Sequence, residues 1–318
     1  PTIDIKWGDE AKHEQLEKFR VEGLRSVKCY GSSMAFSATL KKIPGVYGVA
    51  TFVKHSKVDI YYNPAEVTEE KIREMIYVPS KFKIATPPVE AQQIKVITIF
   101  TEKMYDRMDP NYLGLQFRNT GKGYYGIETE YSCPLTVRLY MDLNEPIDEK
   151  FMETMVEMKE LEMAVHGGGT NIVKVDFEYI GMAEGTDTIS RREFLERQFT
   201  KFSVPFKKNQ ESWDGKNEAV YELVYPNLDK PLITRNLPFL SNHLSQIEGF
   251  LSLETTLNEN DEYCFRITYT TDKLNDDKIW EALNKPKWSI KNKEGVVEEV
   301  DPKFSFDAKG ATKIIQKK

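Results

Sequence analysis

Residues 24–84 read LRSVKCYGSSMAFSATLKKIPGVYGVATFVKHSKVDIYYNPAEVTEEKIREMIYVPSKFKI, and the rest of the chain is interpreted against this stretch. Leu24, Val27 and Cys29 predict a first strand, and SSMAFSATLKKI then places Met34, Ala38, Leu40 and Ile43 at helical spacing. Pro44-Gly45 ends that helix. VYGVATFV is β-rich, KHSK is a polar turn, and VDIYY alternates as a strand. Pro64 breaks that strand, and Thr68-Glu69-Glu70-Lys71 opens a second helix with a hydroxyl cap and an acidic first turn. KFKI supplies a last strand.

Strand, helix, strand, strand, helix, strand is the βαββαβ order of a ferredoxin-like module. A second copy begins at IKVITIF (94–100), followed by a helical MYDRMDPNYLGLQF that Pro110 should interrupt or restart. GYYGIETEYSCPLTVRLYMDLNEPIDEKFMETM then aligns with GVYGVATFVKHSKVDIYYNPAEVTEEKIREMI, with Gly123 on Gly45, Gly126 on Gly48 and Ile127 on Val49. IVKVDFEY (172–179) is expected to close it. A third copy starts at AVYELVYP (219–226), with LITRNLPFLSNHLSQI as its first helix. There Gly249 falls on Gly45, and Asp276-Asp277-Lys278-Ile279 fall on Glu69-Glu70-Lys71-Ile72.

Repeats matched through shared core positions predict an α+β chain of three tandem ferredoxin-like βαββαβ modules with antiparallel sheets. The expected division is a lead-in at 1–22, where Glu14, Leu16, Phe19 and Val21 suggest a short helix or strand edge, and modules at 23–88 and 89–182. A connecting helix and loop follow at 183–217, then a third module with its tail at 218–318. Pro87-Pro88 marks a linker, and Ile189, Phe194, Leu195, Phe199 and Phe202 suit an amphipathic connecting helix.

The 318 residues exceed one ordinary core, and 40% hydrophobic with 30% charged residues describes a globular chain. A net charge of -6 argues against nucleic acid as a partner. No apolar run reaches the roughly 20 residues needed to span a bilayer. The opening PTIDIKWGDEAKHEQ is polar and acidic, unlike a signal peptide; Pro1 fits either removal of an initiator Met or excision from a longer protein. Three widely spaced cysteines, Cys29, Cys133 and Cys264, do not make a disulfide framework, which points to a reducing, cytoplasmic setting.

Counted back from Gly45, with Phe36 and Leu40 in apolar helix positions, the first module resembles the heavy-metal-associated (HMA) domain of copper chaperones and metal-pumping ATPases. That family carries Met-x-Cys-x-x-Cys between its first strand and first helix, two thiolates placed to hold one soft ion. Here the cysteine positions are Cys29 and Ser32 and the methionine position is Val27, so the motif reads VKCYGS. A serine hydroxyl is a poor soft-metal donor. Met34 can add a thioether, or two molecules can share an ion through paired Cys29 residues; the competing reading makes Cys29 a small strand-end residue. In the third copy the equivalent positions are Ile233 and Asn236, and the second copy has no cysteine in that loop.

No enzyme motif survives inspection. HGGGTN (166–171) resembles an oxyanion or phosphate loop but lacks a nucleophile elbow and a following Lys-Ser/Thr, so a flexible turn is expected. Four histidines, His13, His55, His166 and His243, show no zinc-ligand spacing. Paired acidic residues such as Glu69-Glu70 sit in helix first turns, where the macrodipole accounts for them. The resemblance implies a non-enzymatic metal-handling protein, or the soluble part of a membrane metal transporter, with copper as the soft-metal candidate. The alternative is a metal-free interaction or regulatory module, and a third option is a small-molecule sensor with its ligand at a module interface.

Overall fold

The computed structural model describes residues 1–77, 81–82, 89–106, 108–120, 123–165, 167–185, 187–307 and 311–314, with the backbone path alone for 81–82 and 311–314. The fold is mixed α and β with several antiparallel sheets. Two compact units divide the chain, Pro1–Arg191 and Arg192–Lys318.

The first unit begins with β1 (Ile3–Lys6), β2 (Glu17–Glu22), α1 (Tyr30–Leu40), β3 (Val46–Phe52), β4 (Lys57–Tyr62) and α2 (Glu69–Ile76). Its first sheet has the order β1-β3-β4-β2. The strand that precedes α1 in this sheet is therefore β2, within the lead-in where Phe19 and Val21 suggested a short helix or strand edge, and not residues 24–29. Phe19 and Val21 alternate with charged residues and pair with Ile60 and Val58. Gly23, at φ +81°, ends the strand. Leu24 and Val27 are buried, but in a turn closed by Val27 N–H to Leu24 C=O at 3.2 Å.

α1 also turns differently from the expected stripe. Ser33, Ser37 and Leu40 face inward with half-buried Phe36, whereas Met34 and Ala38 are exposed. Serines allow close approach to the sheet because their hydroxyls are bonded: Thr51 Oγ1 meets Ser33 Oγ at 2.9 Å, and Ser37 Oγ donates to Met34 C=O at 2.8 Å.

The second sheet uses β5 (Lys81–Phe82), β6 (Gln93–Glu102), α3 (Asp109–Arg118), β7 (Tyr124–Glu130), β8 (Leu135–Asp142) and α4 (Glu149–Val156). After a hairpin of β9 (Glu160–Ala164) and β10 (Thr170–Lys174) come β11 (Glu178–Met182) and β12 (Asp187–Ser190). The order is β11-β6-β8-β7-β5, with β12 also on β6. β5, expected to close the first sheet, pairs with β7 instead. The closing strand predicted at 172–179 is divided: its start belongs to the β9–β10 hairpin and its end to β11. Of the two effects expected of Pro110, restarting the helix is the one seen: α3 begins at Asp109 with Pro110 in its first turn, where no intrahelical N–H is needed. The Pro87-Pro88 linker lies outside the described residues.

The second unit carries α5 (Arg191–Glu196), which starts at the unit boundary, β13 (Ser203–Pro205), α6 (Lys207–Glu211), β14 (Glu218–Val224), α7 (Pro231–Ser245), β15 (Phe250–Leu257), β16 (Tyr263–Thr270) and α8 (Asp276–Leu283). A hairpin of β17 (Trp288–Lys291) and β18 (Val297–Val300) precedes β19 (Ala311–Ile314). The sheet order is β13-β15-β16-β14-β19. The expected connecting helix over 188–202 is reduced to α5, since Ile189 is taken into β12 on the edge of β6.

The three larger sheets share local detail at the glycines matched in sequence. Gly45, Gly123 and Gly249 each accept, through the backbone carbonyl, an N–H from the end of the neighbouring strand: Asn63 at 2.9 Å, Asp142 at 2.7 Å and Thr270 at 2.9 Å. A Cβ at Gly45 would stand 2.6 Å from Val67, and one at Gly249 2.7 Å from Lys273. Each sheet has a register shift just beyond, at Val46/Gly48, Tyr124/Gly126 and Phe250/Ser252. The helix after the central strand is capped by Thr68, Asp148 or Asn275. Its inward anchor, Ile72, Met152 or Ile279, is fully buried, each contributing about 2 kcal/mol of apolar burial.

Candidate functional site

Cys29 is the N-cap of α1, with extended backbone (φ −156°, ψ 177°). Its Sγ accepts the Ser32 N–H at 3.5 Å, and Ser32 Oγ accepts the N–H groups of Cys29 at 2.9 Å and Lys28 at 2.8 Å. The result is a capping box with a thiol in the place of the usual hydroxyl. The two positions matched to the metal motif do converge, with Cys29 Sγ and Ser32 Oγ 3.5 Å apart. The Ser32 backbone N–H and hydroxyl hold the Cys29 thiol below its ordinary pKa, and the thiol is exposed.

Met34 lies five residues on, roughly 140° round the helix from Cys29, and is 37% exposed on the outer face. Ser32 Oγ is already bonded within the cap. One molecule thus offers one soft donor here. Among the described residues no group of three or more His, Cys, Asp or Glu side chains stands where it could hold a metal ion.

The other sulfur and imidazole candidates are dispersed. Cys264 is buried in β16, donates to Thr256 C=O at 3.6 Å, and burial pushes its pKa up to about 12. Cys133 is exposed in the turn between β7 and β8. His243 is buried, accepts the Ser289 N–H at Nδ1 (3.1 Å) and donates from Nε2 to Ala282 C=O (3.0 Å), so it is neutral in the fold. Burial lowers its pKa, with Lys285 adding to that direction. His13 bonds Trp7 C=O at 3.0 Å, and His55 lies in a short 3-10 turn. His166 lies outside the described residues. Gly167, Gly168 and Gly169 all have positive φ in the β9–β10 turn with nothing packed against them.

A cleft that the linear sequence did not disclose lies between the first two sheets of the first unit. Its apolar half, about 250 Å³, is lined by Val21, Ile76, Tyr77, Met104, Pro134 and Leu135, with Tyr131 and Cys133 at the wall. A polar half of about 410 Å³ is lined by Arg20, Glu22, Arg25, Lys103, Tyr105 and Asp176. Arg73, Lys103 and Tyr105 belong to both halves, so the two form one groove.

The groove is fixed by the turn that follows β2. Arg25 Nη1 donates to Asp109 Oδ1 at 2.8 Å and its Nη2 to Lys174 C=O at 3.1 Å, while the Ser26 N–H meets Asp106 Oδ2 at 2.8 Å. Asp109 also accepts the N–H groups of Tyr105 and Asp106, at 2.8 and 2.9 Å. Burial raises its pKa to about 6 against the pull of these donors and Arg25. Arg73, from α2, lies over the rings of Phe19 (5.0 Å) and Tyr105 (5.7 Å) and forms one wall.

Compared with known protein families, curated proteins and solved structures, the chain gives no match.

Proposed function

We propose that the chain is a non-enzymatic protein-docking array of three ferredoxin-like modules. Each sheet supports this reading by placing its strands in the same order, and each has a short extra strand, β1, β5 or β13, on the same edge. The observation that carries the docking reading is a difference among the three. The strand following that extra strand in sequence is β2, β6 or β14. β6 is flanked by β8 and by β11 with β12, and β14 by β16 and β19. Among the described residues β2 pairs only with β4. An open sheet edge is a template for another strand.

A photo-cross-linking residue placed at Lys18, Glu130 or Glu254, one for each sheet, tests the docking reading in the cells that make the protein. A discrete adduct with one partner protein is expected; no adduct at any of the three positions would overturn the reading.

The Cys29–Ser32 convergence favours a second reading, soft-metal handling associated with a membrane transporter. Because each molecule supplies one thiolate, the ion would be shared by two Cys29 side chains. Titration with Cu(I) against a competing chelator should then show one ion per two chains and none for Cys29→Ser. Binding indifferent to that substitution would remove this reading.

A further inference from the structure

We infer that the groove beside β2 receives an extended segment of a partner protein. This segment adds antiparallel to β2, carries acidic residues at one end, and seats one large apolar side chain between α2 and the β7–β8 turn. The inference rests on the docking reading above and names the occupant of that site.

In the third sheet β19 pairs with β14 so that Thr312 stands opposite Glu222 and Ala311 opposite Leu223. Glu222 pairs with Arg266 in β16 as Arg20 pairs with Asp59 in β4, so Arg20 and Val21 are the first-sheet counterparts of Glu222 and Leu223. In the second sheet the counterparts are Thr98 and Ile99, and there Ala183 N–H bonds Thr98 C=O at 3.0 Å while Met182 stands opposite Ile99. A strand therefore fills the place beside this position in two sheets. In the first, no strand among the described residues fills that place; the groove lies there, and Val21 and Arg20 line its apolar and polar halves.

The chemistry of the groove selects the occupant. A strand beside β2 sends alternate side chains to opposite faces. One set enters the apolar half, where Ile76, Tyr77, Met104 and Leu135 leave about 250 Å³, room for one leucine- or phenylalanine-sized group. The other set meets Arg20, Arg25, Arg73 and Lys103, which are paired with Asp59, Asp109, Glu69 and the Asp176–Glu178 carboxylates; Arg20 and Lys103 still expose 46% of their side-chain surface to a further acidic group. Arg20 is held by Asp59 at 2.6 Å and Arg25 by Asp109 at 2.8 Å, so these guanidinium groups are already oriented. Backbone pairing supplies affinity, and the apolar seat with the exposed parts of Arg20 and Lys103 supplies selectivity.

The test uses the whole chain and random linear dodecapeptides displayed on phage. Selected peptides, resynthesised, should carry a Leu, Ile or Phe flanked on one side by Asp or Glu. Their binding should slow amide hydrogen exchange over Glu17–Glu22 and protect Cys133 from alkylation. Cys133→Trp, at an exposed position on the groove wall, should weaken binding at least about tenfold, and Lys103→Glu should weaken it about threefold or more. Peptides that bind without protecting β2, and whose affinity Cys133→Trp leaves unchanged, overturn the groove while leaving the docking reading to the cross-linking result. Failure to select any peptide that binds in solution also overturns it, as does protection of β2 by self-association of the free chain.

Discussion

Arg25 and Asp109 form a 2.8 Å charge-assisted hydrogen bond across 84 residues of sequence, from the turn after β2 to the first turn of α3. The carboxylate is fully buried, while the guanidinium keeps 21% of its side-chain surface exposed. This bond, with the Ser26–Asp106 contact, joins the first sheet to the second and sets the width of the groove between them.

Removing one partner of such a pair leaves a buried charge. Arg25→Ala is expected to destabilise the first unit by about 3 kcal/mol at pH 7. In that variant Asp109 loses its only cationic partner among the described contacts and can escape by protonation, so the penalty should shrink as the pH is lowered toward 5. Urea denaturation of wild type and variant at both pH values checks this; an equal penalty at the two would contradict it.

The equivalence of the three strand ends makes a comparative prediction. Gly45→Ala and Gly249→Ala each combine a positive φ, +89° and +98°, with a Cβ approach below 3.0 Å. Each should cost about 2 kcal/mol or more. Gly181→Ala in β11 meets nothing within 4 Å and has no positive φ, so its melting temperature should stay within about 2 °C of wild type.

The three thiols should react in a fixed order. Cys29 is exposed and biased toward the thiolate, Cys133 is exposed, and Cys264 is buried with a raised pKa. Alkylation followed by mass spectrometry should label Cys29 first and Cys264 only on unfolding, and Ser32→Ala should slow Cys29 by removing a stabilising hydroxyl. If Cys133 outpaces Cys29 at neutral pH, the cap is not activating the thiol.

His243 supplies a pH dependence in the second unit. Its pKa is lowered by burial, so the folded unit binds fewer protons than the unfolded one. Its contribution is fully present above the unfolded value of about 6.5 and is lost as pH falls below it. NMR titration should place His243 below 6.5, and unfolding of this unit should become easier from pH 6.5 downward. A titration at or above 6.5 would contradict the neutral, doubly bonded ring.

Residues 46–76 were readable from sequence because their elements are regular and locally punctuated: VDIYY alternates, Pro64 stops it, and Thr68 caps α2 through the Lys71 N–H at 3.2 Å. β2 is legible only as a short helix or strand edge because Phe19 and Val21 stand among charged residues, while Leu24, Val27 and Cys29 imitate the alternation of the module's first strand. The inward face of α1 is not legible in the sequence because it is built on Ser33 and Ser37, whose polarity is satisfied only by contacts distant in sequence or by backbone carbonyls. β5 was assigned to the nearer sheet because register and partner are tertiary properties. At the candidate site, Cys29 and Ser32 could be found by spacing. The groove could not, since Val21, Arg73, Met104 and Pro134 come together only through the docking of two sheets.

Amide hydrogen exchange of the free chain tests the central claim, that the β2 edge, which no described strand covers, is open where its counterparts are enclosed. Half of the β2 amides should point away from β4 and exchange at least about a hundredfold faster than the inward ones, whereas amides on both sides of β6 and β14 should be protected. Uniform protection across Glu17–Glu22, equal to that of Glu218–Val224, would contradict it.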